Sequence, residues 1–415
     1  MLDLKAIRAQ PDPARAALAR RGDGAADTLD RVLELDARRR ALLPELEGLR
    51  AEKNEASKRI GEMQRQGADA SEAIGQVKQV SDREKQLDAE LGEVQSAVDA
   101  GMLALPNLPD ETAAPEDTVL REVGQGGAAG RDHTELLGGL LDLEAGARVA
   151  GSRFAYIKGP LVMLELALVR WALEELSDRG FEAVIPPVLV REEALVGTGF
   201  LPDTEQQIYR VPDDDLYLAG TSEVPLASLH AGELLAEEGL PRRYAGYSPC
   251  FRREAGAAGR ETRGLFRVHQ FDKVEMFAFV APEQSGAEHE RLLEIEEALM
   301  GALGLAYRVV NIAVDELGSS AAKKYDIEVW LPGQERYREL TSCSNTTDFQ
   351  ARRLDIRYRP LQGRGPRHVH TLNGTAVAVG RTIIALVENG QQEDGSVLLP
   401  EVLRPYGAPE RIEPQ

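Results

Sequence analysis

The segment Tyr247–Phe277, YSPCFRREAGAAGRETRGLFRVHQFDKVEMF, carries residue types that can do chemistry. Two β-rich stretches flank a loop of Gly, Ala and charged residues, and they carry Arg252, Glu254, Phe271 and Glu275. Side chains on adjacent strands would face one cleft. Arginine suits phosphate because its planar fork donates two parallel hydrogen bonds and keeps its charge. The segment predicts a phosphate-binding site, and a charged β-hairpin without function is the simpler alternative.

Three further segments carry polar side chains beside apolar runs: LAGTSEVPLASLH (218–230), RELTSCSNTTDFQARR (338–353) and TLNGTAVAVGRTIIALVENGQ (371–391). Thr-Ser-Glu in the first is typical of a helix N-cap. Carboxylate and hydroxyl oxygens, as of Glu339 and Ser342, are ligands that magnesium accepts. Taken by itself, the third segment is typical of a core helix with a charged end at Arg381.

In their order along the chain, the four segments resemble motifs of the class II aminoacyl-tRNA synthetases in the form found in the seryl-tRNA synthetase family. The resemblance implies that L-serine is activated with ATP and transferred to tRNA(Ser), with tRNA(Sec) as a further candidate. It implies Arg252, Arg381 and Glu275 as catalytic residues. The implied L-serine-binding residues are Thr221, Ser222, Glu223, Arg252, Glu275 and Thr375. The implied ATP-binding residues are Arg252, Arg253, Glu254, Phe271, Glu339, Leu340, Thr341, Ser342 and Arg381.

The resemblance also implies individual roles. Arg252 would hold the α-phosphate and the substrate carboxylate, and Arg381 the γ-phosphate. Glu254 would read adenine, Phe271 would stack on it, and Glu275 would receive the amino group of serine. Mg²⁺ would be held by Glu339 and Ser342, and no zinc is expected. Thr341 and Thr346 stand where the family pattern has serine and cysteine.

The segment FEAVIPPVLVREEAL (181–195) resembles motif 1 of the same family. The resemblance implies a homodimer with Pro186 at its interface. An apolar strand with prolines is also ordinary at a sheet edge, so dimerisation rests on the family and not on the segment.

The elements that must position these residues differ along the chain. Apolar residues recur at intervals of three and four from Val32 to Met63, with Arg39 and Lys53 filling two gaps, and again from Val77 to Val98, with Glu84 in a gap. This pattern predicts two helices of an antiparallel coiled coil. Folding about residue 68 places Lys53 opposite Glu84. Pro44 should kink the first helix or mark a later start. The resemblance assigns this arm to tRNA, and its basic residues are Arg38, Arg39, Arg40, Arg50, Lys53, Lys58 and Arg59.

The chain length of 415 residues suits two domains. Residues 1–104 are predicted as a tRNA-binding domain with the helical arm, and 105–130, rich in Pro, acid and Gly, as a linker. Residues 131–415 mix helical and β-rich runs without a Gly-rich nucleotide fingerprint. They predict an α+β body around an antiparallel β-sheet flanked by helices. The resemblance implies that this body is a catalytic domain with the class II synthetase fold.

Composition limits the function classes. A net charge of −20 argues against a nucleic-acid partner, although the basic clusters of the arm could form a local positive stripe. No apolar run reaches the roughly 18 residues of a membrane span, and the first ten residues lack the apolar core of a signal peptide. Cys250 and Cys343 have no nearby Cys or His at metal-ligand spacing. These features predict a cytoplasmic protein with no membrane partner, no disulfide framework and no structural zinc.

Three alternatives stay open. A paralogue of the same fold could load the activated amino acid onto a carrier protein or a small molecule. A resistance form could tolerate mimics of the serine adenylate. A decayed synthetase could serve as a non-catalytic coiled-coil adaptor, although Arg252, Glu275 and Arg381 are all in place.

Overall fold

The computed structural model describes residues 1–22, 24–202, 207–255, 264–363 and 365–415. They form two compact units, Leu2–Pro106 and Asn107–Gln415, the second also including Met1. The loop of the Tyr247–Phe277 segment falls partly at 256–263, outside the described residues.

The first unit is helical: α1 (Leu4–Ala9), α2 (Pro11–Ala19), α3 (Ala25–Arg65) and α4 (Ser71–Ala104). Helices α3 and α4 pack along each other as the predicted antiparallel hairpin, with Leu42, Leu46, Leu87 and Val94 as its buried seam. Helix α3 begins before the periodic stretch and continues through Pro44. Pro44 therefore does not mark a later start of the helix, because α3 begins at Ala25. A kink at Pro44 stays a prediction.

One predicted contact of the hairpin is confirmed. Lys53 Nζ donates to Glu84 Oε2 at 2.6 Å, in the register expected from folding about residue 68. Arg50 lies 3.5 Å from the other carboxylate oxygen of Glu84. Hydrophobic residues of the outer half, such as Ile60 and Val80, are only half-buried, so a two-helix arm buries little apolar surface and polar pairs help to set its register.

The second unit is built on an eight-stranded sheet. Its strands are β1 (Thr118–Val123), β4 (Glu182–Val184), β9 (Arg242–Phe251), β10 (Gln270–Val280), β11 (Tyr307–Asn311), β12 (Lys323–Leu331), β13 (Arg336–Asn345) and β16 (His370–Ala378). They lie in the order β1-β11-β12-β13-β16-β10-β9-β4, and every pairing is antiparallel except that of β4 with β9. The expected α+β class with an antiparallel sheet is confirmed. Strand β1 lies within 105–130, the range predicted as a linker, so part of that range belongs to the sheet.

Smaller elements surround the large sheet. The helices are α5 (His133–Leu137), α6 (Leu143–Ala150), α7 (Pro160–Asp178), α8 (Glu192–Thr198), α9 (Glu223–Ser228), α10 (Ser285–Ala302), α11 (Phe349–Arg353) and α12 (Val379–Asn389). The short strands are β2 (Leu141–Asp142), β3 (Tyr156–Ile157), β5 (Leu189–Val190), β6 (Tyr209–Val211), β7 (Leu216–Leu218), β8 (Leu234–Ala236), β14 (Arg357–Arg359), β15 (Arg367–His368), β17 (Val397–Leu398) and β18 (Arg411–Ile412). Among the described residues, no helix combines the length and apolar character needed to cross a membrane.

Central strand β10 shows how the sheet separates core from site. Successive side chains of a strand point to opposite faces. Val274, Met276 and Ala278 join the main hydrophobic core with residues of α7, α10 and α12. Phe271, Lys273 and Glu275 alternate with them and line a cleft on the other face. The sheet thus buries one face and leaves part of the other for polar side chains.

Candidate active site

A cleft of about 480 Å³ opens on the sheet face opposite the main core. It brings together residues from four predicted segments that are far apart in the chain. The predicted serine- and ATP-site residues that line it are Thr221, Glu223, Arg252, Glu254, Phe271, Glu275, Glu339, Leu340, Thr341, Ser342, Thr375 and Arg381. Strand register explains the convergence, since Glu275 on β10 pairs with Thr375 on β16.

Arg252 and Phe271 form one side of the cleft. Arg252 follows the last residue of β9, and its Nε donates to the carbonyl of Gly220 at 3.1 Å. Its guanidinium lies 5.2 Å from the centroid of the Phe271 ring. Nearby, Arg267 lies 3.3 Å from a carboxylate oxygen of Glu254. A planar cation packed on an aromatic ring is suited to hold a phosphate beside a purine.

Arg381 and Glu339 form a second charged group. Arg381 lies in the first turn of α12 and donates to the Glu339 carbonyl at 2.9 Å and to its Oε2 at 3.3 Å. Its guanidinium also lies 4.8 Å from the ring centroid of Phe266. Burial raises the pKa of Glu339, but the charges of Lys324 and Arg381 outweigh burial and hold that pKa below its ordinary value. Glu339 is therefore a carboxylate already balanced by cations.

The donors for magnesium are few. Glu339 and Ser342 both line the cleft, and they lie on the same strand, β13. The described residues contain no group of three or more His, Cys, Asp or Glu that could hold a metal. Because Mg²⁺ keeps several waters and often binds through one carboxylate plus phosphate oxygens, this donor set fits Mg²⁺ only when a nucleotide supplies further ligands.

A dense polar cluster lies at Glu275. Lys273 Nζ donates to Thr221 Oγ1 at 2.7 Å and contacts the Glu275 carboxylate directly. Thr375 Oγ1 donates to Glu275 Oε2 at 3.4 Å. Glu223 is almost fully buried at 8% exposure. Burial, followed by the charge of Glu275, raises the pKa of Glu223 to about 7. Carboxylates and hydroxyls of this kind can bind an ammonium group and a small hydroxyl side chain.

Sequence reasoning missed several residues of this region, among them Lys273 and Glu296. Lys273 could have been found from the alternation of strand β10, which places it between Phe271 and Glu275 on the cleft face. Glu296 on α10 left no comparable signal. It is fully buried beneath the sheet, and Thr341 Oγ1 donates to its Oε2 at 3.2 Å.

Two predicted site residues do not line the cleft. Ser222 is fully buried, and its hydroxyl lies 3.4 Å from the carbonyl of Gly246 on β9. Its side chain contributes to the packing of α9 on the sheet, and its predicted contact with serine stays a prediction. Arg253 has an exposed side chain. The Arg253 backbone N–H donates to the Gln207 carbonyl at 2.9 Å, so its backbone is held while its side chain faces solvent.

The predicted basic stripe of the arm is largely paired with acids of the same hairpin. Arg38 contacts Glu90, Arg39 and Arg40 contact Asp36, Arg50 contacts Asp88, and Arg59 lies 3.9 Å from Glu55. These ion pairs reduce the net positive charge that the arm presents to solvent. Any binding to phosphates must compete with them.

Pro186 follows β4 and is buried by its own chain. The side chain of neighbouring Ile185 is 80% exposed, and Met163 and Leu166 on α7 are about half exposed. Apolar surface of this kind often marks a protein interface. The predicted interface position therefore has an exposed apolar neighbour in the chain, Ile185, although Pro186 itself is covered.

Comparison with known proteins agrees with this geometry. Residues 208–390 match the family description of the tRNA synthetase class II core domain (G, H, P, S and T). An antiparallel sheet with the arginines, glutamates and Phe271 in one cleft, together with this match, defines the catalytic body of a class II aminoacyl-tRNA synthetase.

Comparison with individual relatives shows to which family of class II synthetases the chain belongs. Residues 1–109 match the seryl-tRNA synthetase N-terminal domain. The chain is 46% identical to the serine–tRNA ligase of Thermobifida fusca, covering 100% of this chain and 99% of that one, and 48% identical to that of Rubrobacter xylanophilus with the same coverage. The solved seryl-tRNA synthetase of Pyrococcus horikoshii, complexed with ATP, is 40% identical over 100% of both chains, with a TM-score of 0.93. The chain belongs to the seryl-tRNA synthetase family.

Proposed function

We propose that the chain is a serine–tRNA ligase that activates L-serine with ATP and transfers it to the 3′ end of tRNA(Ser). The observation that carries the proposal is the juxtaposition, in one cleft, of the Lys273–Glu275–Thr221 cluster with Arg252 stacked on Phe271. The polar cluster suits a small amino acid. The cation on the ring suits a nucleotide phosphate.

In the first step, the serine carboxylate attacks the α-phosphate of ATP and pyrophosphate leaves. Arg252 and Arg381 offset the negative charge that grows on the phosphate oxygens in the transition state. Both guanidinium groups are held by backbone carbonyls, those of Gly220 and Glu339. They are positioned before the substrate arrives, which reduces the reorganisation needed during reaction.

In the second step, the terminal ribose hydroxyl of the tRNA attacks the acyl carbon of the adenylate and loses its proton. The new ester bond forms as the bond between the acyl carbon and the phosphate oxygen breaks, and AMP leaves. No side chain has to form a covalent bond. The contribution of the protein is placement and electrostatics. Phe271 and Glu254 would hold the adenine, with Leu340 and Thr341 completing that site.

Serine would be selected through hydrogen bonding. We assign its ammonium to Glu275 and Glu223 and its hydroxyl to the region of Thr375. Alanine would leave buried polar groups without partners, a loss that supports discrimination of about 10⁴-fold where hydrogen bonding is specific. Threonine must be excluded by size.

ATP would be accompanied by Mg²⁺ held by Glu339, Ser342 and phosphate oxygens. The ion would neutralise charge on the phosphates when bound. No zinc is part of the proposal, and serine is assigned to protein oxygen and nitrogen atoms only.

The remaining expectations also belong to this proposal. Residues 1–104 would bind tRNA through the arm. The predicted linker 105–130 would lead into a catalytic body whose sheet already includes β1 (Thr118–Val123). The exposed apolar side chains of Ile185, Met163 and Leu166 support a homodimer. The buried free thiols of Cys250 and Cys343 suit a reducing cytoplasm. The proposal extends to tRNA(Sec) as a second acceptor.

The test is serine-dependent exchange of labelled pyrophosphate into ATP, with threonine, alanine and glycine as controls, followed by charging of tRNA with a long variable arm. Exchange and charging with serine would establish the ligase. Exchange without charging would indicate the carrier-loading paralogue instead, and no exchange with any of the four amino acids would favour the adaptor.

A further inference from the structure

Gln350 is a fully buried residue of α11 that no predicted role includes. Its side-chain Nε2 donates to Glu223 Oε1 at 2.8 Å and to the carbonyl of Thr198 at 3.2 Å. Its Oε1 accepts from Thr371 Oγ1 at 2.9 Å and, at a longer 3.4 Å, from the Thr346 hydroxyl. These four partner residues are themselves buried, so water does not compete for the amide.

These partners leave the Gln350 amide one sensible orientation. The Thr198 carbonyl can only accept a hydrogen bond, so the NH₂ group must lie on its side. The same NH₂ group then points at Glu223. The Thr371 hydroxyl holds the opposite end of the amide by donating to Oε1.

Glu223 needs such a donor. Its carboxylate lines the cleft, yet burial and the negative charge of Glu275 favour its protonated form. Lys273 and Arg252 oppose this from β10 and from the end of β9, and the Gln350 hydrogen bond acts in the same direction as those cations. An ammonium group is bound better by an ionised carboxylate than by a neutral one.

We propose that Gln350 is a positioning residue for the amino acid substrate, because its amide N–H donates to Glu223 Oε1 and orients that carboxylate towards the cleft. The proposal rests on the proposed function, since it takes Glu223 as a partner of the serine ammonium. Gln350 does not line the cleft, so its effect on the substrate passes through Glu223.

Two substitutions of Gln350 have opposite consequences. Gln350→Met removes the donor, so Glu223 ionises only at higher pH, and serine binding relative to the parent should be weakest at low pH and recover as pH rises. Gln350→Glu places a second carboxyl at the same contact. Two adjacent carboxyls share a proton, so at low pH the protonated Glu can donate to Glu223 much as the amide does. At high pH both carboxyls ionise, and repulsion displaces Glu223.

The experiment measures the KM for serine and the KM for ATP in pyrophosphate exchange from pH 6 to pH 8.5, for parent and variants. Loss of a hydrogen bond to a charged group corresponds to a change of about 10- to 100-fold. We expect the serine KM of Gln350→Met to rise by that factor at pH 6 and to approach the parent at pH 8.5. Gln350→Glu should show the opposite trend. The ATP KM should change by less than about threefold.

A purely structural role for Gln350 would shift the serine KM of both variants in the same direction at every pH, or would shift the ATP KM equally. Either result, or an unchanged serine KM, would overturn the proposal. Gln391→Met and Gln391→Glu change a glutamine outside the cleft and serve as matched controls for the substitution type. Should Gln350→Met fail to fold, Thr371→Val removes the hydroxyl that orients the amide and should raise the serine KM most at low pH.

Failure of the proposal and failure of the proposed function are distinguishable. If the parent shows no serine-dependent exchange, the proposed function is wrong. If the parent exchanges with serine but the two Gln350 variants lack opposite pH trends, the proposed function stands and the role of Gln350 does not.

Discussion

Substitution of the buried Glu296 by Gln should make the catalytic body more stable at higher pH. Glu296 is fully buried on α10 and accepts a hydrogen bond from the Thr341 hydroxyl. Its burial, with the added negative charges of Glu275 and Asp326, raises its pKa well above 4.5. The folded protein therefore keeps a proton on Glu296 under conditions in which the unfolded chain has lost it.

The sign and size follow from linkage between protonation and folding. For a carboxyl whose folded pKa is raised, stability is fully present below the unfolded pKa and is lost as pH rises towards the folded pKa. The loss is about 1.4 kcal/mol for each pH unit over which only the folded state holds the proton. Gln has nearly the same shape, stays neutral and can accept the Thr341 hydrogen bond. The free energy of unfolding of Glu296→Gln relative to the parent should thus rise by that slope above about pH 4.5 and then level off.

Urea unfolding followed by tryptophan fluorescence measures this difference. The chain has two tryptophans, Trp171 and Trp330, and both lie in the Asn107–Gln415 unit, so the signal reports on the catalytic body. Glu294→Gln, an exposed position on the same helix, is the matched control for removing one carboxyl. A difference between Glu296→Gln and parent that does not change from pH 5 to pH 8 would mean that Glu296 is ionised when folded, and the reasoning would be refuted.

Three further predictions concern the nucleotide site, the arm and the thiols. Phe271→Ala should raise the KM for ATP about 10- to 100-fold, since stacking of a base on an aromatic ring contributes about 1–3 kcal/mol; a larger rise in the serine KM would contradict the adenine assignment. Leu46→Ala removes a seam side chain that is 2% exposed and should cost the hairpin about 2–4 kcal/mol. Charging of tRNA should then fall while pyrophosphate exchange persists, and equal loss of both would argue against a separate role for the arm. Cys250 and Cys343 are fully buried thiols with raised pKa values due to burial, so the native protein should react with a thiol reagent only as fast as it unfolds, and rapid labelling of either would disprove their burial in solution.

Local sequence patterns predicted several features correctly. The three- and four-residue spacing of Val32 to Met63 and of Val77 to Val98 depends only on helix geometry. These two runs were enough to predict both arm helices and, with a fold about residue 68, the Lys53–Glu84 contact. The α+β class followed from the mix of helical and β-rich runs in residues 131–415. In contrast, the ion pairs of the basic residues depend on which acids the second helix brings opposite them, and spacing along one helix does not reveal those partners.

What the sequence determined by itself was the chemistry available: Arg252, Phe271, Glu275 and Arg381 are residue types whose spacing resembles the synthetase motifs, and the structure gathers them in one cleft. Only the tertiary structure decided how their surroundings act. Gln350 lies 127 residues from Glu223 and donates to it, and Glu296 lies 45 residues from Thr341 and accepts from it. Such contacts are set by strand register and helix packing across the whole body. Burial lowers the local dielectric and raises the pKa of Glu223 and of Glu296. It also arises only when distant segments of the chain cover the same side chain.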